Sequence, residues 1–257
     1  MKAPLSHRKN IPFYCHKTPA DYQKDVYERY DPMVIRQIGL HLADEWWGGY
    51  PLQKVLDFAT PHYPEKPQHL LEVGCGLGRW IATLAQQYPQ AACWGIDYSY
   101  QLLRQAHECW IQGQTLSLDG SHKGFVPKLE WKGKTLSNLQ LGLAKACALP
   151  FEDNSQDLVV SSFLLDRLEE PDLGLQEMVR VLHPEGRLIA VTPLNFNQAQ
   201  NWERLYPAGQ LKELLPSLGL ELLEWQEDLL IQEPLDKHGN GIVWKCLGLV
   251  GRKARWM

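Results

Sequence analysis

At 257 residues, 44% hydrophobic and 22% charged, the chain has the size and composition of one decorated globular domain, which excludes long disorder and fibrous repeats. A formal net charge of −4 gives no global positive field, so nucleic acid is not an expected partner and a small molecule is favoured. The six cysteines, Cys15, Cys75, Cys93, Cys109, Cys147 and Cys246, are scattered, with neither CxxC pairs nor zinc-like spacing to histidine, and read as reduced thiols with no metal.

Residues 1–66 carry no alternating pattern and are rich in Tyr, Trp and charge, which predicts a helical extension of two or three helices. Thr18-Pro19-Ala20-Asp21 reads as a helix start, with Thr18 capping, Pro19 in the first helical position and Asp21 at the positive end of the dipole. On a continuous helix Tyr22, Val26, Tyr27 and Tyr30 would share one face, either packed against the rest of the fold or lining a pocket. Trp46 and Trp47 add aromatic surface near the end of this segment.

From His69 onward short apolar runs alternate with helical stretches, the pattern of a parallel sheet with crossover helices. Strands are expected near 69–73, 92–96, 139–144, 157–163 and 187–192, and helices near 79–88, 100–112 and 172–182. Residues 113–138, with Phe125, Leu129 and Trp131 among Gly, Ser and Lys, read as an inserted loop or hairpin. A helix at 211–218 and strands at 220–228 and 242–251, joined by turn formers at 233–241, predict an antiparallel return. No apolar run approaches the roughly 18 residues of a membrane span, and Met1 to Ser6 lacks a secretory pattern. A cytoplasmic location is expected.

Leu70-Leu71-Glu72-Val73-Gly74-Cys75-Gly76-Leu77-Gly78-Arg79-Trp80 is a buried strand, a glycine turn and a helix start. Glycine permits positive φ and close backbone approach, and the helix that follows aims unpaired N–H groups at the crevice. Asp97 ends the second strand, 19 residues after Gly78, where a carboxylate can accept from the two hydroxyls of a ribose. A dinucleotide site favours G-x-G-x-x-G, whereas three residues after Gly76 stands Arg79. That spacing, with Glu72 just before the turn, favours a ligand bearing an ammonium group over a pyrophosphate.

At these residues the chain resembles the class I S-adenosylmethionine-dependent methyltransferases, in particular the group acting on small molecules that includes quinone-biosynthesis enzymes. The resemblance runs over about 69–193 and includes Ala146-Cys147-Ala148-Leu149-Pro150-Phe151, Asn154-Ser155-Gln156-Asp157 and Arg180-Val181-Leu182-His183-Pro184-Glu185-Gly186. It implies a Rossmann-like α/β fold with a mostly parallel seven-stranded sheet, helices on both faces and an antiparallel last strand; the 1–66 extension, whose Tyr27, Tyr30, Trp46 and Trp47 adjoin that core in sequence, is expected to form a lid over the acceptor pocket. It implies S-adenosylmethionine as cofactor and S-adenosylhomocysteine as product. By position, Glu72, Gly74, Cys75, Gly76 and Gly78 would hold the methionine part, Asp97 the ribose, Tyr98 the adenine, with Ala146, Cys147 and Ser161 around them. Lys145 stands where many relatives have Asp, and Glu185 replaces a common glycine.

In-line displacement at a sulfonium needs positioning more than covalent chemistry, plus a base if the acceptor is a hydroxyl. Asp166 is the candidate base, with an ordinary ion pair to Arg167 as its competing explanation. Tyr27, Tyr30 and Asn195 are candidate acceptor contacts, His16 and His238 flanking histidines, and Arg36 or Arg79 candidate partners for the cofactor's carboxylate. A nicotinamide-dependent dehydrogenase and a noncatalytic binding protein of the same fold are the alternatives.

Overall fold

The computed structural model describes residues 1–46, 48–119, 124 and 128–255. Trp47 and Phe125, singled out above, lie outside the described residues.

The core strands are β3 (His69–Val73), β4 (Ala92–Asp97), β7 (Leu139–Leu143), β8 (Gln156–Ser162), β9 (Leu182–Thr192), β10 (Leu220–Pro234) and β11 (Gly241–Lys253). They lie in the order β7-β4-β3-β8-β9-β11-β10, and β11 runs antiparallel to both neighbours in a set otherwise parallel from β7 to β9. Their near-continuous apolar runs follow from burial on both faces. Asp157 Oδ2 accepts from the backbone N–H groups of Gln68 and His69 at 2.7 and 3.0 Å, tying the start of β3 to β8.

Helices α5 (Arg79–Gln87) and α6 (Tyr100–Trp110) cover one face, burying Ile81, Leu84, Leu103 and Trp110. Helices α7 (Pro171–Val181), α8 (Ala199–Leu205) and α9 (Ala208–Leu214) cover the other around Leu175, Met178 and Leu211. Ser99 caps α6, and Pro171 occupies the first position of α7. Residues 116–118 and 129–131 pair as β5 (Leu116–Leu118) and β6 (Leu129–Trp131), an antiparallel hairpin whose Trp131 ring meets Trp110 edge-on.

The first 66 residues depart from an all-helical extension. Strands β1 (Ser6–Arg8) and β2 (Ile11–Phe13) form a hairpin, and β2 pairs in parallel with β7, extending the sheet to nine strands. The reason is the otherwise open edge of β7: Tyr14 N–H donates to Leu143 O at 2.8 Å and Ile11 is fully buried there. The Thr18 start is present as a reciprocal cap with Asp21, but α1 (Pro19–Lys24) stops at Asp25, which caps a second short helix, α2 (Val26–Arg29). The break rotates the aromatic side chains apart, so Tyr22, Val26 and Tyr30 are exposed while Tyr27 turns inward. Helices α3 (Asp31–Leu42) and α4 (Gln53–Ala59) complete the segment.

Candidate functional site

Two edges of the sheet are candidates. A surface cavity lined by His69, Trp94, Phe151, Gln156 and His183 sits at the amino ends of β3, β8 and β9. The glycine turn sits at the carboxyl ends, where ligands bind in open α/β sheets.

Gly74, Gly76 and Gly78 have φ of 75°, 52° and 69°, a region that penalises side chains. The backbone N–H groups of Gly74 and Cys75 donate to Ile96 O at 2.8 and 3.0 Å, and the Trp110 indole donates to Leu77 O at 2.7 Å, so β4 and α6 hold the turn from opposite sides. Asp97 accepts from Gly76 N–H at 2.8 Å and Ser99 N–H at 2.7 Å. Burial raises its carboxyl above the usual range, and the two N–H groups oppose the shift. Glu72 accepts from Ile81 N–H at 2.9 Å and so caps α5, whose own N-cap residue, Gly78, has no side chain for the task. Burial raises the Glu72 carboxyl well above the ordinary value, with the Ile81 N–H opposing.

Side chains from elsewhere cover the turn. A Cβ on Gly74 would come within 3.0 Å of Leu164, and one on Gly76 within 3.7 Å of the His41 ring. Burial, then the Arg79 charge, lowers His41 to about 4, so the ring is neutral near pH 7. Lys17 is almost fully buried, pairs with Asp25 at 2.6 Å and Glu28 at 3.3 Å, and stands 4.7 Å from the Tyr98 ring centre. Lys145 covers the same ring at 5.4 Å. Glu28 also accepts from Tyr100 N–H at 3.1 Å at the start of α6.

On the acceptor side, Phe163 follows β8 with a φ of 53° and meets Trp244 edge-on at 6.1 Å. The Trp244 indole donates to Glu233 at 2.6 Å, and Glu233 also pairs with Arg36, joining α3 to the β10–β11 hairpin. Tyr27 is pushed up to about 12, first by burial and then by the Asp97 charge, with Arg167 opposing, so its phenol stays protonated beside Asp97.

Several proposed contacts sit differently. Tyr30 is 51% exposed and stacks with Arg29, and Asn195 is exposed. Asp166 has no solvent exposure; its carboxylate accepts from Thr192 at 3.2 Å and lies 3.4 Å from Arg167, with burial raising its carboxyl. Ser161 donates to Val73 O at 2.9 Å across β8 and β3, which commits its hydroxyl to the sheet. Arg36 is taken by Glu233, while Arg79 uses one nitrogen on Asp44 at 2.8 Å. Ala146 is buried, and Cys147, His16 and His238 are exposed. Lys17, His41, Tyr50, Glu233 and Trp244 were not singled out from the sequence, because a single polar or aromatic residue carries no local periodic signal, whether it stands in a helix, as His41 does, in a strand, as Glu233 and Trp244 do, or in a connecting stretch.

Residues 71–190 match the family model described as a methyltransferase domain. A demethylmenaquinone methyltransferase of Staphylococcus carnosus is 29% identical over 128 residues, 49% of this chain and 44% of that protein. An ajmaline N-methyltransferase of Rauvolfia serpentina is 26% identical over 202 residues, 76% of this chain and 59% of that protein. The chain thus spans about half the length of the curated relatives it matches. Among solved structures, an S-adenosylmethionine-dependent methyltransferase of Aquifex aeolicus superposes with a TM-score of 0.52 at 19% identity, covering 87% of this chain and 99% of that one.

Proposed function

We propose that this chain, whose residues 71–190 match the methyltransferase-domain model, binds S-adenosylmethionine and methylates a small-molecule acceptor by in-line displacement, releasing S-adenosylhomocysteine. One observation carries the reading: three glycines at positive φ stand at the carboxyl end of β3, with the second held by the carboxylate that ends β4. The three glycines present bare backbone to the crevice while Cys75 and Leu77 pack into the core, and both Asp97 oxygens keep a second lone pair beyond the backbone N–H groups they accept from. These features fit an adenosyl ligand with a charged amino-acid end.

Bound there, S-adenosylmethionine supplies the electrophilic methyl group. Asp97 accepts from the ribose hydroxyls, and Tyr98 offers its ring to adenine once Lys17 and Lys145 move aside. The backbone at Ala146 and Cys147 borders the base, and Glu72 faces the ammonium. Tyr27, kept protonated by burial, can donate to an acceptor oxygen, while Phe163 and Trp244 form an aromatic wall beside the Arg36–Glu233 pair. Asp166, enclosed and bonded to Thr192, positions the β8 and β9 ends and is not placed to take a proton in this closed arrangement.

Residues 1–66 act as the lid in this reading. Lys17, Glu28 and Arg36 pin the segment across the carboxyl edge, and a closed lid excludes water from the sulfonium. Calorimetry should show binding of S-adenosylhomocysteine and none of comparable strength for NAD; micromolar NAD affinity with no response to the adenosyl compound refutes the cofactor. Deletion of residues 1–30, which also removes β1, β2 and the buried Ile11 and so costs stability, should abolish methyl transfer; full turnover by that truncation refutes the lid.

A further inference from the structure

The surface cavity at the amino ends of β3, β8 and β9 takes no part in the proposed methyl transfer, because it lies at the opposite edge of the sheet from the glycine turn. Its volume is about 430 Å³, which falls in the range of small-molecule sites. Trp94 and Phe151, whose rings meet edge-on at 5.7 Å, give it an apolar side. Its polar lining is rich in acceptors. Gln156 is 4% exposed; its amide nitrogen donates to Ser155 Oγ at 3.2 Å, while its Oε1 is buried with no hydrogen-bond partner. Asp157 uses Oδ2 for the backbone N–H groups of Gln68 and His69, and its Oδ1 has no partner among the described residues. His183 Nδ1 donates to Pro184 O at 2.7 Å, so in the neutral ring Nε2 is left as an acceptor.

The cations around the cavity are already engaged. Lys253 donates to Asn154 Oδ1 and Arg180 O, Arg180 is held by Glu177 and Asp153, and the Met1 ammonium pairs with Glu152 at 2.9 Å. Asp157 has no ion pair among the described residues. A buried amide oxygen without a donor is costly, and an unpaired carboxylate beside aromatic rings favours a cation that can donate hydrogen bonds. We propose that this cavity binds an organic cation, a protonated primary amine carried on an apolar body about the size of one aromatic ring. The ammonium brings three donors to Gln156, Asp157 and His183, and the apolar body lies against Trp94 and Phe151. This site is independent of the methyl-transfer reading, since none of its residues belongs to the glycine turn or to the acceptor side.

Calorimetric titration of the full chain with 2-phenylethylamine, 2-phenylethanol and 3-phenylpropionate tests the assignment, because the three share a ring and differ in the charge and donors of the head group. The amine should bind tighter than either of the others by about tenfold or more. Asp157→Asn keeps an oxygen for the two backbone N–H groups but turns an amide N–H₂ toward the ligand, and Gln156→Met removes the orphaned acceptor at nearly constant shape. Each should weaken amine binding by about tenfold, the scale of a hydrogen bond to a charged group, and each should keep a cooperative urea transition, which reports that the variant is folded. Tyr27→Phe, at the opposite edge, should bind the amine at wild-type strength. No saturable amine binding, equal binding of amine and carboxylate, or undiminished amine affinity in either folded variant overturns the proposal. Amine affinity lost in Tyr27→Phe also overturns it, because the amine would then sit in the acceptor crevice.

Discussion

Replacing Asp97 by Ala tests the site at the point where structure and ligand meet. The carboxylate accepts from Gly76 N–H at 2.8 Å and Ser99 N–H at 2.7 Å, so its loss strands two backbone donors at about 1 to 3 kcal/mol each. Removing a buried carboxyl whose ionisation burial already disfavours returns part of that, leaving a net destabilisation of about 2 to 4 kcal/mol. Ligand binding should suffer separately: ribose hydroxyls without a charged acceptor lose about 1.5 to 3 kcal/mol, a tenfold to hundredfold weakening. Asp97→Asn keeps one acceptor oxygen but turns an amide N–H₂ toward a backbone N–H, so its stability should fall between wild type and Asp97→Ala. Urea unfolding measures the first effect, and calorimetry with S-adenosylhomocysteine on the folded variants measures the second. An unchanged urea midpoint would show that the glycine turn does not lean on Asp97; unchanged affinity in folded Asp97→Ala would show that the ribose lies elsewhere.

Gly76→Val should cost about 2 kcal/mol by forcing a β-branched residue to a φ of 52°, and should abolish S-adenosylhomocysteine binding because the new methyl groups occupy the ligand's path; calorimetric binding at wild-type strength would contradict this. His41, near 6.5 when unfolded and about 4 when folded, binds a proton more readily in the unfolded chain, so it withdraws stability as pH falls from about 6.5 to about 4, by up to about 3 kcal/mol. His41→Phe should remove that loss, and the raised carboxyls of Glu72 and Asp97, present in both proteins, largely cancel from the difference; parallel urea midpoints across this pH range would refute it. Lys17→Met leaves Asp25 and Glu28 without their buried cation, with an expected loss of about 3 kcal/mol, checked by chemical unfolding and contradicted by an unchanged midpoint. Tyr27→Phe should slow methyl transfer with little change in S-adenosylhomocysteine affinity; equal turnover by both proteins would place the acceptor away from this phenol.

What the sequence determined by itself was the part written in short-range pattern. The Leu70 to Trp80 stretch showed its strand, turn and helix because the need for positive φ selects glycine at fixed spacing, and the structure has all three glycines in that region. The alternation of strand and crossover helix followed from apolar runs of strand and helix length, and the antiparallel return from two adjacent runs joined by turn formers. Thr18 and Asp21 announced their helix start because a cap is a contact three residues long. Tertiary structure decided the rest, because the remaining contacts join positions far apart in the chain. Nothing local in Ile11-Pro12-Phe13 told that it would close the edge of β7, a pairing 130 residues away by Phe13 and Leu143, and nothing in Asp25 alone told that it would divide one aromatic face into two. Asp166 looked accessible beside Arg167 but is enclosed once Thr192 arrives from β9. Glu72 looked free for a ligand, yet one of its oxygens is spent on a helix that has only glycine at its cap. Lys17, His41, Tyr50 and Glu233 gain their roles from charges and rings that meet them only in the folded chain, since burial and Coulomb interaction depend on distance in space and not on distance along the sequence.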